Sequence, residues 1–193
     1  MAARTRSEKG SGSEPNRQTS IALAYIGLGS NLADPFNQIK TALRALGKLP
    51  GTTVLDCSGL YQNQAMTDPL TCSTVLQPDY LNAVAAIETK LAAHDLLAAL
   101  LNQEYIQGRR RTEQHWEARC IDLDLLLYAD QEIQSKSLTV PHPGVHQRPF
   151  VIHPLAEIAP QVVIPGFGSA AHVAKIIDPD GLTLVCQGSE LLE

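Results

Sequence analysis

The order of patterned segments in this 193-residue sequence predicts an α+β fold, a ferredoxin-like βαββαβ core with additional strand and helix elements toward the C-terminus. Three observations carry that prediction. Apolar runs of strand length alternate with two stretches of helical periodicity. Their order is strand, helix, strand, strand, helix, strand. The length suits one domain with a sizeable core and is short for two.

Residues 1–20 lack large apolar side chains and read as a disordered tail, leaving a domain over 21–165 and an extension of uncertain structure over 166–193. "IALAYIGLGSN", from Ile21, is an apolar run ending in small residues, as a buried strand entering a turn would be. Gly27-x-Gly29 has no third glycine and no Lys-Ser/Thr after it, so a tight turn is expected there, not a phosphate loop. Asp34-Pro35 supplies an N-cap and a proline at the first helical position, and Phe36, Ile39, Leu43 and Leu46 recur at helical spacing up to Gly47. "TTVLDCSGLY" has strand character, 63–78 is polar with two prolines, and "DYLNAVAAIET" alternates as a strand does. "AAHDLLAALLNQEYIQ" is the clearest helix, carrying Leu96, Leu97, Leu100, Leu101 and Glu104-Tyr105 on one side and ending near Gly108. An arginine-rich loop leads to "RCIDLDLLLY" (119–128), the last core strand. Beyond it "SLTVPH" reads as a further strand and "HQRPFVIHPLAEIA" as a helix started or interrupted by Pro154, while 166–193 is weakly patterned.

Composition excludes several classes. At 44% apolar and 18% charged the chain is globular, and a net charge of −5 argues against a general nucleic-acid binder. No apolar stretch approaches the about 20 residues a membrane-spanning helix needs. The four cysteines show no C-x-x-C spacing, which fits reduced thiols in a cytoplasmic protein. Nucleic acid and membrane are therefore not expected as partners; small-molecule partners and a monomeric state are separate expectations that composition does not decide.

Chemistry concentrates in one region. On a strand, Asp122 and Asp124 leave the same face while Ile121, Leu123 and Leu125 leave the other. Two ionised carboxylates roughly 5–7 Å apart on a half-buried surface repel by about 2–3 kcal/mol at an effective dielectric near 20, so positive charge should sit beside them. Mg²⁺ takes one or two protein carboxylates and completes its octahedron with water and phosphate oxygens, and two ions could clamp both oxygens of a phosphoryl transfer. One aspartate capping loop amides and the other solvated is an equally good account of the pair alone. Arg109, Arg110, Arg111 and Arg119, four of 15 Lys and Arg residues, flank His115 and Trp116 and could meet a polyanion, or form a solvated surface. Arg119, three residues before Asp122, is close enough to share its site. His142 and His146 are four apart, but Pro143 and Gly144 preclude a helix that would align them on a metal. Tyr80, Trp116 and Phe150 are aromatics near polar motifs that could stack on a flat ligand or simply pack in the core.

Taken together and in order, "AYIGLGSNL", "QPDYLNAV", "EYIQGRRR", "HWEARCIDLDLLLY", "LTVPHP" and "RPFVIHPLAEIAP" resemble the hydroxymethyldihydropterin pyrophosphokinase family over about residues 21–165. The resemblance implies transfer of pyrophosphate from ATP to the hydroxymethyl group of 6-hydroxymethyl-7,8-dihydropterin, releasing AMP, in folate biosynthesis. It further implies that Asp122 and Asp124 hold two Mg²⁺ ions against ATP and that Arg109 belongs to a catalytic loop, with Arg111 and Arg119 as further phosphate contacts. Tyr80 and Phe150 resemble an aromatic pair that sandwiches the pterin, with Trp116 beside them, and Asn82 resembles the amide that reads its edge. Glu104, Thr139, His142 and Arg148 match positions near ATP. The segment after the second strand, "NQAMTDPLTCSTVL", departs from the family's usual proline-containing sequence. A palm-like two-metal nucleotidyltransferase, an inactive nucleotide- or pterin-binding module and an RNA-recognition module are the competing expectations. The last lacks the aromatic-rich strand that stacks bases.

Overall fold

The computed structural model describes residues 20–65, 77–110, 118–179 and 181–193. Its elements are β1 (Ala22–Ser30), α1 (Pro35–Leu46), β2 (Thr52–Cys57), β3 (Leu60–Asn63), β4 (Tyr80–Thr89), α2 (Ala93–Ile106), β5 (Asp122–Tyr128), β6 (Ile133–Gln134), β7 (Thr139–Val140), α3 (Pro149–Ile158), β8 (Val163–Ile164), β9 (Gly168–Ser169), α4 (Ala170–Ile176), β10 (Thr183–Cys186) and α5 (Gly188–Leu192). The main sheet runs β5-β1-β4, with β2 and β3 sharing the far side of β4 and β10 outside β3, and every pairing is antiparallel. This is the ferredoxin-like α+β order, with the second core strand split in two.

That split has a local cause. Ser58 donates its N–H to the Val84 carbonyl (2.9 Å) and its hydroxyl accepts from the Val84 N–H (2.9 Å), so a side chain replaces one backbone acceptor and the strand breaks at Ser58-Gly59. Both pieces still pair with β4. Asp34 caps α1 by accepting from the Asn37 N–H, and Pro35 opens the helix. Ile39, Ala42, Leu43 and Leu46 bury its inner side. From α2 it is Ala93, Leu96, Leu100 and Glu104 that turn inward, so a carboxylate shares the apolar face. At Gly108 (φ 93°) the chain turns through the left-handed region and leaves α2 toward Arg109.

The sheet is covered on both sides. Ala24, Ile26, Leu28, Ala85, Ile87, Leu123 and Leu125 pack against α1 and α2, whereas Tyr25, Val84, Ala86, Leu126 and Leu127 pack against α3 and α4. Double coverage is why β4 is buried almost continuously where alternation had been expected. A register shift at Tyr25/Ile26 slips the alternation of β5, so that neighbouring Leu126 and Leu127 join one cluster and Tyr128 the other.

One expectation is corrected and one segment left open in the sequence takes a definite form. The helix of "HQRPFVIHPLAEIA" starts at Pro149, which supplies the fixed φ of a first helical position, and Pro154 lies inside it. The weakly patterned C-terminal stretch is folded onto the domain: β10 extends the main sheet, Ala170 and Val173 of α4 pack beneath α3, and Leu191 of α5 joins the α1 cluster. Its periodicity is faint because β10 is an edge strand with Thr183, Leu184 and Val185 exposed. "SLTVPH" contributes only the two-residue β7, paired with β6. No helix among the described residues is long and apolar enough to cross a membrane.

Candidate active site

Helix α3 leaves one end of its sheet face bare, and a cleft lies there with β1, β4 and β5 as its floor. Gly27 and Gly29 belong to β1 itself, paired on one side with Val84 and Asn82 and on the other with Asp124 and Asp122. The tight turn expected at these glycines is not present, because β4 and β5 hydrogen-bond the segment from both sides. Their value is the missing side chain. A Cβ on Gly29 would sit 2.9 Å from Asn82 Oδ1, and one on Gly27 would sit 3.4 Å from the end of Leu126.

Asp122 and Asp124 both line this cleft, while Leu123 and Leu125 lie in the opposite core, as the strand period requires. Their environments differ. Arg119 donates to Asp122 Oδ2 at 2.6 Å, and Arg109 donates to Asp122 Oδ1 and also to Glu104 Oε1. Burial alone would raise the Asp122 carboxyl, but Arg119 and Arg109 outweigh it and hold the group below its ordinary value. Asp124 has no such grip: burial first, then the neighbouring Asp122 charge, push it up to about 6. Glu104 is only 2% exposed and accepts the Leu123 N–H at 2.8 Å, so its carboxylate fastens the end of α2 and the base of the arginine loop to β5.

The remaining predicted residues fall in three groups. Tyr80, Asn82, Arg119, Arg148 and Phe150 line the cleft with the aspartates. Tyr80 also shares a hydrogen bond with Arg119, and burial raises its hydroxyl. Arg109 reaches the cleft through Asp122 and lines a second depression with Leu101, Glu104, Tyr105 and Arg110, whose guanidinium lies 4.6 Å from the Tyr105 ring centroid. Thr139, on β7, and His142 are not in the cleft lining. His142 donates its N–H to the Leu126 carbonyl (2.9 Å) and its Nδ1 accepts from the Gly144 N–H (3.1 Å). Burial, then Arg148, lowers the pKa of this imidazole. Arg111 and Trp116 lie outside the described residues, as do 1–19 and 66–76 of the expected tail and polar loop.

Sequence reasoning missed two asparagines. Asn31, 2% exposed, donates through Nδ2 to the Pro78 carbonyl (3.1 Å) and accepts through Oδ1 from the Arg119 N–H (2.8 Å), so one amide ties together the segments that carry Tyr80 and Arg119. Asn63, at the end of β3, lines the cleft and accepts from Asn82 Nδ2 at 2.6 Å. A small polar pair at the end of an apolar strand was the available signal for Asn31. For Asn63 it was the period of two from Tyr61.

The donor set suits a hard divalent cation arriving with a phosphorylated ligand. Among the described residues no group of three or more His, Cys, Asp or Glu could hold a metal, so two carboxylates would have to be supplemented by phosphate and water oxygens. The elevated Asp124 carboxyl marks where charge compensation is lacking.

Comparison with known proteins gives a consistent result. The family described as 7,8-dihydro-6-hydroxymethylpterin-pyrophosphokinase (HPPK) matches residues 25–160. A 2-amino-4-hydroxy-6-hydroxymethyldihydropteridine pyrophosphokinase of Haemophilus influenzae is 46% identical over 152 residues, which cover 79% of this chain and 91% of that protein. The protein of the same name from Pseudomonas aeruginosa is 43% identical over 145 residues, covering 75% of this chain and 85% of that one. The folic acid synthesis protein fol1 of Schizosaccharomyces pombe is 42% identical over 147 residues, and the chain spans only 19% of its length. A solved Plasmodium falciparum HPPK-DHPS structure superposes with a TM-score of 0.63 at 13% identity, covering 83% of this chain and 46% of that one, a likeness of fold.

Proposed function

Since the chain belongs to the 7,8-dihydro-6-hydroxymethylpterin-pyrophosphokinase family, we propose that the cleft bounded by β1, β4, β5 and α3 is where the family's transfer takes place. The enzyme moves the pyrophosphoryl group of ATP to the hydroxymethyl group of 6-hydroxymethyl-7,8-dihydropterin, releasing AMP, in folate biosynthesis. The observation that carries the placement is the Asp122–Asp124 face. Two carboxylates, one held charged by arginines and one pushed toward its neutral form, stand over a floor to which Gly27 and Gly29 add no side chain.

In this proposal the reduced pterin lies between Tyr80 and Phe150, with Trp116 at its border and its polar edge against Asn82. A flat bicycle gains dispersion from two ring faces, and an amide offers it both a donor and an acceptor. Arg109, Arg119 and Arg111 take the phosphate oxygens, and Glu104, Thr139, His142 and Arg148 surround ATP, Glu104 through its hold on Arg109. Asp122 and Asp124 would hold two Mg²⁺ ions, which would supply charge neutralisation of the triphosphate. Most of the catalysis then falls to positioning and charge stabilisation, the demand that phosphoryl transfer makes of a protein. Arg109 and Arg119 each touch Asp122 through one terminal nitrogen, so the remaining donors of each five-donor guanidinium are the ones that would turn to phosphate oxygens when ATP enters. We further take the enzyme to act as a monomer in the cytoplasm, the former checked by equilibrium sedimentation.

The test is incubation with ATP, Mg²⁺ and the reduced pterin alcohol, following AMP and the pterin product with and without EDTA. AMP together with a pyrophosphorylated pterin, abolished by EDTA, is the expected result. Release of free pyrophosphate with a nucleotidylated acceptor would overturn the proposal in favour of a palm-like nucleotidyltransferase.

A further inference from the structure

We propose that Asn63 is a positioning residue that fixes the amide orientation of Asn82 and so sets which heterocycle edge the enzyme accepts; this rests on the placement of the pterin against Asn82. In the β3–β4 register Asn63 faces Tyr80 and Tyr61 faces Asn82, which makes Asn63 and Asn82 diagonal neighbours on one face of the sheet. Both side chains line the cleft. Asn82 is 6% exposed, and its Nδ2 donates to Asn63 Oδ1 at 2.6 Å while its Oδ1 lies over the bare backbone of Gly29. Asn63 is oriented in turn, because its Nδ2 donates to the Gln64 carbonyl at 2.7 Å.

A carboxamide is nearly symmetric in shape but not in chemistry: turned over, it exchanges a double donor for an acceptor. The relay from the Gln64 carbonyl through Asn63 to Asn82 removes that freedom. A carbonyl can only accept, so Asn63 must turn its own oxygen toward Asn82, and Asn82 must answer with N–H. What Asn82 then has left for a ligand is its oxygen and one N–H. An acceptor fixed at that place recognises a ring N–H or exocyclic amine, as on a 2-amino-4-oxo heterocycle, and disfavours an edge with oxygen in the amino position. A buried polar group without its partner is costly, so a fixed amide discriminates more sharply than a rotating one.

Asn63→Leu keeps the volume and removes the acceptor. It is expected to raise the KM for the pterin about tenfold, leave the KM for ATP within about twofold, and lower by about tenfold the preference for the 2-amino-4-oxo substrate over its 2,4-dioxo analogue, as kcat/KM. Asn63→Asp should rescue that preference, since either carboxylate oxygen accepts from Asn82 without help from Gln64. Asn82→Leu is the control on the underlying placement. If Asn82→Leu impairs pterin use while Asn63→Leu keeps wild-type preference, the role of Asn63 is overturned and the placement stands. If Asn82→Leu leaves the pterin KM unchanged, the placement itself fails. Should Asn63→Leu not fold, Asn63→Ala gives the same readout, and an Asp variant no better than Ala also overturns the relay.

Discussion

Replacing either aspartate should abolish turnover, yet the two replacements should move stability in opposite directions. Asp124 is an acid whose charge the ligand-free protein does not want: buried and beside Asp122, it is pushed up to about 6 from 3.8. A carboxyl with a raised folded pKa favours folding most below its unfolded pKa and loses that advantage as pH climbs through the folded value, so the cost is complete above about pH 6. A rise of roughly two units corresponds to about 3 kcal/mol at most, and sharing with Asp122 brings the expectation to about 1–3 kcal/mol. Asp124→Asn should therefore raise the Tm of the metal-free protein by about 2–10 °C at pH 8, a gain that shrinks through pH 6 and vanishes near pH 4. Asp122 is the reverse case. Its lowered pKa means stability that is present at neutral pH and lost only as pH falls through that lowered value. Asp122→Asn removes the shared partner of Arg109 and Arg119 and should cost about 1–3 kcal/mol, below the full price of a broken buried pair because the carboxylate is a quarter exposed. Thermal unfolding in EDTA at pH 4, 6 and 8 tests both variants. Equal or lower stability of Asp124→Asn at pH 8 would refute the electrostatic asymmetry, as would an Asp122→Asn protein no weaker than wild type.

Gly29→Ala places a methyl group 2.9 Å from Asn82 Oδ1 and should raise the pterin KM about tenfold, whereas Gly27→Ala, meeting only the flexible end of Leu126 at 3.4 Å, should stay within about threefold; steady-state kinetics with each substrate varied will separate them. Arg109→Ala should lower kcat far more than it changes pterin affinity, measured by calorimetry, and an effect confined to pterin affinity would contradict its phosphate role. Glu157 accepts from the Gly59 N–H (3.0 Å) and the Tyr61 hydroxyl (2.8 Å), joining α3 to the break between β2 and β3, so Tyr61→Phe should cost about 1 kcal/mol in urea unfolding with kcat unchanged.

Much of this molecule was legible from its sequence because its strongest signals are local. Asp34-Pro35 predicts the start of α1, and the period of two in 121–125 places both aspartates on one face before any coordinate is known. Signals failed where a neighbour distant in sequence decides. Gly27 and Gly29 resemble a turn until β4 and β5 are seen to pair with them, and β10 has no apolar period because it is an edge strand with Thr183, Leu184 and Val185 exposed. The split at Ser58 depends on an amide 26 residues away. Glu104 falls on the leucine side of α2 already in the sequence, but nothing local shows that Arg109 and the Leu123 amide are the partners that hold it there. The positive charge required beside the aspartate pair was foreseen, but its distribution was not: Arg109 and Arg119 bond Asp122 directly, while on Asp124 burial and the Asp122 charge outweigh the more distant pull of Arg148, Arg109 and Arg119.

The buried Asn31 amide reaches both rims of the cleft with one rigid plane. The backbone at Arg119 is linked to that at Pro78 through four covalent bonds and two hydrogen bonds. On the proposed placement, a nucleotide held by Arg119 and a heterocycle held by Tyr80 would share this tie, beside the hydrogen bond that Arg119 and Tyr80 make directly. Thermodynamic reciprocity then fixes the bookkeeping: whatever factor the first guest lends the second, the second returns, whichever is titrated first.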